Sequence, residues 1–250
     1  MHNEVSFPLH AACGAAYLTA PNIAARHAFS PRLGGVSTGV LESLNLSVRR
    51  GDTPENVREK LAGCSGVLVP GGFGVRGIEG KLNVIRYARE NNIPFLGLCL
   101  GMQCAVIEYA RNVAGIKDAN SKEFDENAQY PAIDLMLEQK NVHGYGGTMR
   151  LGAYDCVLKK GSKAAKAYGK EKISERHRHR YEVNNEYLNQ ISDAGLVFSG
   201  MSPDGMLAEV VELPHLDWFV ACQFHPEFKS RPEHPHPLFK GLIDAVVNKK

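Results

Sequence analysis

One pentapeptide restricts the fold of this chain more than any other stretch: Gly97-Leu98-Cys99-Leu100-Gly101, set between an apolar run and an amphipathic one. Pro94-Phe95-Leu96-Gly97-Leu98 has the length and character of a buried strand, and Gly101 to Ala114 has the spacing of a helix. A residue at such a junction, with glycines two positions away on either side, sits on a nucleophile elbow, here carrying a thiol. The turn is sharp, and side chains at the glycine positions would collide with the strand and the helix. The turn also puts the thiol at a helix N-terminus, where the dipole favours thiolate. Cys104, five positions on and inside the helix, reads as core.

The same alternation surrounds the elbow. Gly66-Val67-Leu68-Val69 is a buried-strand run closed by Pro70-Gly71-Gly72. Residues 78–91 carry Ile78, Leu82, Ile85 and Ala88 at helical spacing. Strands alternating with helices of this length predict an α/β fold, with a mostly parallel central sheet covered by helices. Further on, Asp118–Pro131 reads as a polar loop, Gly147–Leu158 as strand and Lys159–Lys172 as a solvated helix or loop. Leu196–Val211 reads as a hairpin, and Trp218–Gln223 as a last strand. Residues 1–65 differ, with short strand-like pieces at His27–Ser30 and Leu44–Val48 and a helix entry at Thr53-Pro54. They read as an atypical N-terminal segment, and 66–250 as the α/β domain.

Composition narrows the function classes. The 250 residues carry a formal net charge of +2, which gives no broad electrostatic reason to expect nucleic acid or an anionic membrane as partner. No apolar run approaches the roughly 20 residues of a spanning helix, and the N-terminus lacks the basic start of a signal peptide. The six cysteines are scattered without a CxxC pair, which fits reduced thiols and a cytoplasmic setting.

Two further segments complete a chemistry. Pro70-Gly71-Gly72-Phe73-Gly74 follows the strand before the elbow, and neighbouring parallel strands end on the same edge. The backbone amides of Gly72 and Leu100 are therefore expected to form an oxyanion hole. Gly72-Phe73-Gly74-Val75-Arg76-Gly77 also fits the dinucleotide fingerprint G-x-G-x-x-G. That site wants an acidic residue at the end of the next strand, where this chain has Gly97-Leu98-Cys99. Phe219–Phe224 is an apolar strand ending in His225-Pro226-Glu227. A thiol nucleophile needs a base near neutral pKa, which His225 supplies, and Glu227 can turn back past Pro226 to fix its tautomer. His177, His179, His234 and His236 read as surface histidines, and none has a partner at zinc spacing, so no metal site is expected.

VPGGFGVRGIEGK, FLGLCLGMQ, NSKEFD, GGTMRLG, ERHRHRYEVN and ACQFHPEF together resemble class I glutamine amidotransferases of flavodoxin-like architecture. Within them, they resemble the glutaminase domains of the CTP synthase family, from about Gly66 to the end. The resemblance implies hydrolysis of L-glutamine to glutamate and ammonia. It implies Cys99, His225 and Glu227 as the triad, and Gly72 and Leu100 as oxyanion donors. Phe73, Gln103, Glu123, Arg180 and Tyr181 match glutamine-holding positions, and Arg150 matches a lid linked to GTP activation. An exposed loop arginine is the alternative reading of Arg150. In the parent family, ATP, Mg2+ and GTP act through a synthetase domain and its interface. That domain aminates UTP to CTP and is absent here, so this domain is expected to need no cofactor and to take a separate synthetase domain as partner.

The resemblance also has gaps. The family's domain begins before the PGG loop with strand, helix and strand, which the motifs here do not cover. Instead, residues 17–61, with RLGGVSTG, ESLNLS and GDTPENV, resemble the opening of laccase-domain (multicopper polyphenol oxidase, purine nucleoside phosphorylase-like) proteins. That family's metal-binding residues lie further along and are missing, so a junction near Ala62–Gly66 is inferred. Two rival readings follow. One is an impaired chimeric module that keeps the motifs but lacks part of the sheet. The other is an oxidoreductase or nucleosidase.

Overall fold

The structure, a computed structural model, describes residues 15–18, 43–46, 53–135 and 149–249. The expected strand at His27–Ser30, most of the laccase-like stretch and the Gly146–Thr148 part of GGTMRLG lie outside the described residues.

Among the described residues, nine strands make one sheet in the order β2-β1-β3-β4-β12-β11-β10-β7-β8. The first five are β2 (Ser43–Leu46), β1 (Ala15–Leu18), β3 (Gly66–Val69), β4 (Phe95–Leu98) and β12 (Phe219–Cys222), and all are parallel. The next four are β11 (Ala208–Glu212), β10 (Val197–Met201), β7 (Arg150–Leu158) and β8 (Lys172–His179), joined antiparallel. The sheet is thus mixed, with a parallel half and an antiparallel half. The motifs had left the edge beyond β3 without its strands. In the structure β1 and β2, both from the N-terminal segment, extend the sheet there in parallel register.

Helices cover both faces. Val67 and Val69 of β3 point to one face, with α2 (Ile78–Glu90) and α3 (Leu100–Asn112) packed on it through Ile78, Leu82, Ile85, Met102 and Val106. Leu68 points to the other, where α4 (Lys163–Tyr168) and α6 (Pro237–Asn248) bring Ala164, Leu238, Leu242 and Val246. Period-two alternation along a strand feeds two cores at once. Each fully buried large side chain contributes about 1.5–3 kcal/mol. Phe95 and Phe219 stack at 4.5 Å between centroids and tie β4 to β12.

Local signals account for the helix ends. Thr53 accepts from the Asn56 amide to start α1 (Pro54–Lys60), with proline in the first turn. Ser162 caps α4, and Gly169 ends it in the left-handed region. Short α5 (Leu188–Asp193) follows a 3-10 turn.

The expected polar loop at Asp118–Pro131 is partly strand. β5 (Ala119–Ser121) pairs with β6 (Tyr130–Leu135), which pairs with β9 (Tyr181–Val183) in a separate sheet. Three- to six-residue strands with polar members leave no periodicity to read. The expected surface placement of His177, His179 and His236 is also corrected, because all three are buried. β8 alternates strictly, with Ile173, Glu175, His177 and His179 inward and Ser174, Arg176 and Arg178 outward. The period was present in ERHRHRYE, but its inward face is polar.

Candidate active site

Val69 lies opposite Gly97 and Cys222 opposite Leu98. Three parallel strands therefore end at one edge and deliver three loops to one point. β3 delivers Gly71-Gly72, β4 delivers Cys99 and β12 delivers His225. The Cys99 backbone has φ 50° and ψ −105°, a positive φ on a residue with a side chain. Its amide donates to the Cys222 carbonyl at 2.7 Å, which fixes the turn. The elbow glycines are required sterically. A Cβ at Gly101 would overlap the Val69 carbonyl oxygen, and one at Gly97 would lie 2.8 Å from the Gly101 backbone.

Gly71 records how close the partners are. A Cβ there would lie 3.4 Å from Cys99 Cβ and 2.9 Å from His225 Cε1, so both side chains face the same small space. His225 Nδ1 is 2.6 Å from Glu227 Oε1, and the ring stacks on Phe228. His225 Nε2 is buried and has no hydrogen-bond partner among the described residues. The His225 amide donates to the Arg176 carbonyl of β8, so the antiparallel half also positions this turn.

The surroundings of the thiol disfavour the thiolate. Burial pushes the Cys99 thiol well up; a hydrogen bond from the Leu100 amide opposes this, while Glu227, Glu123 and Glu182 reinforce it. Desolvation at a residue only 2 % exposed outweighs the helix N-terminus that suggested thiolate. A neutral thiol beside an unpartnered imidazole nitrogen can transfer its proton to that nitrogen as it attacks.

Glu123, Leu100 and Gln103 are tied to this centre, the first two directly by charge and a hydrogen bond, the third through Gln223. Gly72 is buried, and Leu100 opens α3. Glu123 accepts from the Gly74 amide at 2.9 Å. Burial raises its carboxyl, against that amide, Arg180 and His179. Gln103 is 2 % exposed and donates Nε2 to the Tyr181 carbonyl at 2.9 Å. Phe73 is 55 % exposed, with the Arg178 guanidinium 5.9 Å from its ring centroid. Among the described residues no group of three or more His, Cys, Asp or Glu is arranged to hold a metal, and no helix is long and apolar enough to cross a membrane.

Arg150 is neither exposed nor on a loop. At the start of β7 it bridges Glu182 at 3.0 Å and Glu209 at 2.9 Å, and it lies over the Tyr154 ring. Glu209 also meets His177 Nε2 at 2.6 Å, and Glu182 meets His179 Nε2 at 2.6 Å. Sequence reasoning missed this network and also Gln223, which is fully buried beside the thiol. Inward polar residues on an alternating strand were the available signal.

A β3 loop, a cysteine elbow and a strand-ending histidine–carboxylate pair at one edge define a class of protein, and sequence comparison agrees. The class-I glutamine amidotransferase family model matches residues 37–245, and the chain belongs to that family. Its similarity within the family runs to CTP synthases. It is 60 % identical over 195 residues to CTP synthase of Bacillus subtilis (strain 168), covering 78 % of this chain and 36 % of that protein. It is 56 % identical over 229 residues to CTP synthase of Maridesulfovibrio salexigens, covering 87 % and 42 %. The chain thus spans well under half the length of these curated relatives. Among solved structures, the glutaminase domain of Trypanosoma brucei CTPS with bound acivicin superposes with TM-score 0.81 at 35 % identity, covering 95 % of each chain.

Proposed function

We propose that this chain hydrolyses the side-chain amide of L-glutamine through a Cys99 thioester. His225 Nε2 takes the thiol proton as Sγ attacks the amide carbonyl. The N–H groups of Gly72 and Leu100 hold the oxyanion. Collapse expels ammonia, with His225 returning the proton to the leaving nitrogen. His225 then takes a proton from water, which opens the thioester and frees glutamate. Glu227 holds the Nδ1 side of the ring throughout. Glu123 suits the substrate's ammonium. Gln103 has both amide hydrogens engaged inside the fold and offers that end its oxygen. Arg180, with the Tyr181 segment, suits the carboxylate, and Phe73 borders the entrance.

The observation that carries the reading is the convergence of the Cys99 and His225 side chains beside Gly71, where an added Cβ would lie 3.4 Å from Cys99 Cβ and 2.9 Å from His225 Cε1. The β1–β2 edge supports it over the impaired-module reading, because the sheet continues past β3. Free, buried cysteines at 64, 99, 104, 156 and 222 support a reducing, cytoplasmic setting. The ammonia would serve UTP amination by a separately supplied synthetase domain. ATP, Mg2+ and GTP would belong to that partner and its interface, and Arg150 would be the residue through which GTP acts.

The test is covalent. A diazo-ketone analogue of glutamine should label Cys99 ahead of the other five cysteines, and the chain should release ammonia from glutamine. Labelling spread equally over Cys104 and Cys222, with no ammonia released, would overturn the reading.

A further inference from the structure

We infer that Gln223 is a further functional residue of this site: its side-chain amide N–H stabilises the Cys99 sulfur when that sulfur becomes an anion. The inference rests on Cys99 being the nucleophile.

Gln223 follows β12 and lies two residues before His225, with no exposed surface. Its Nε2 is 3.7 Å from Cys99 Sγ, a distance suited to an N–H···S hydrogen bond. Its backbone amide donates to the Glu209 carbonyl at 2.9 Å, which anchors the residue to β11. A glutamine amide can face either way, so the direction it presents to sulfur has to be fixed by its neighbours.

A chain of hydrogen bonds fixes it here. The Tyr181 backbone carbonyl is only an acceptor, so Gln103 must turn its NH2 toward it, at 2.9 Å. The same NH2 lies 3.2 Å from Gln223 Oε1. Were Gln223 flipped, two NH2 groups would face each other. Gln223 therefore accepts from Gln103 with its oxygen and offers its NH2 to Cys99. A backbone carbonyl on β9 sets, through two buried amides, which group meets the nucleophile.

The electrostatics give that donor a purpose. The ionisable groups around the sulfur are Glu227 after β12, Glu123 after β5, Glu182 on β9 and Cys222 on β12, with His225 facing it beside Gly71. The three carboxylates and the burial all disfavour a thiolate. The donors that can oppose them are the Leu100 amide, the imidazolium formed on His225 and the Gln223 amide. In the proposed step the S–H proton goes to His225 Nε2, while Gln223 keeps its protons and donates a hydrogen bond that strengthens as charge develops on sulfur.

The experiment is alkylation of the full chain by iodoacetamide from pH 6 to 10, followed by mass spectrometry of the Cys99 peptide. Gln223→Met keeps the size and removes the donor. Below the alkylation midpoint the rate rises about tenfold per pH unit, so a midpoint raised by about one pH unit should lower the rate at every pH of this range roughly tenfold, the weight of one hydrogen bond to a charged group. The kcat for glutamine should fall with KM within about twofold. An unchanged pH profile in a folded Gln223→Met protein would overturn the inference, because a merely structural tie would not move the midpoint. Should that variant fail to fold, Gln103→Met unlocks the orientation from the far end and must raise the same midpoint; an unmoved midpoint there also overturns it. Absence of Cys99 labelling in the parent protein would instead overturn the hydrolase reading beneath it.

Discussion

The parallel and antiparallel halves of the sheet solve the same burial problem with different residues. β3, β4 and β12 are apolar on both faces, and their chemistry sits beyond their ends, in the loops of Gly71, Cys99 and His225. β8 instead turns Glu175, His177 and His179 inward, where Glu209, Glu182 and Arg150 meet them. The difference teaches where a substitution will be felt. At the strand ends of the parallel half, a substitution is expected to change turnover more than stability. Inside the antiparallel half each charge is compensated by a partner, so removing one leaves another buried and unpaired.

The largest expected effect breaks the parallel edge. His225→Ala should lower glutaminase kcat by on the order of 10³-fold or more. Glu227→Ala should cost roughly ten- to a hundredfold less, since it orients the base without taking the proton. Thermal unfolding of both variants should stay close to that of the parent. Parental turnover in both would show that this edge is not the catalytic one.

Next in size is the antiparallel interior. Glu209→Ala should destabilise the fold by about 3–5 kcal/mol, the cost of uncovering a buried charge. That corresponds to roughly 10 °C in a chain of this length. Burial alone would push the Glu209 carboxyl up, but His177 and Arg150 outweigh it and hold the carboxyl below its usual range. Glu175 is likewise held down against its burial by His236 and Lys229. A depressed folded-state pKa gives stability that is present above the unfolded value, about 4.3 for Glu. That stability is lost as pH falls through the folded value. The melting temperature should therefore drop steeply below about pH 4 in the parent, and less steeply in Glu209→Ala. A variant melting with the parent at pH 7 would remove the contrast between the halves.

The smallest effect calibrates the comparison. Arg86 and Glu90 pair at 2.8 Å on α2, both about half exposed. Arg86→Ala should change stability by no more than about 0.5 kcal/mol. A loss as large as that of Glu209→Ala, read by denaturant midpoints, would mean that burial is not what sets the cost.

The two halves also differ in how much of them the sequence made legible. Gly66–Val69, Pro94–Leu98 and the helices after them match their observed bounds within a residue or two, because an apolar run closed by glycine has few other ways to fold. The cysteine turn, the glycine loop after β3 and the His-Pro-Glu turn were legible as strand ends for the same reason, since each is fixed by local pattern. β5, β6 and the inward histidines of β8 were not. Their strands carry polar side chains whose burial depends on partners far along the chain, such as Glu209 for His177 and Glu182 for Arg150. Gln223 was visible only as the end of a strand.

The sequence by itself determined the elbow: Gly97 and Gly101 leave the backbone room for a positive φ at Cys99, a local steric requirement written into adjacent residues. It likewise determined the pairing of His225 with Glu227, two residues apart across a proline. Only the tertiary structure decided that the surroundings of the thiol push its pKa up, because desolvation and the charges of Glu227, Glu123 and Glu182 reach Cys99 from different elements. It also decided that the segment before residue 65 extends the sheet, since strand pairing joins residues distant in the chain. The direction of the Gln223 amide was settled there too, because a carbonyl on β9 fixes it through Gln103, and no local pattern encodes a hydrogen bond between residues 120 positions apart.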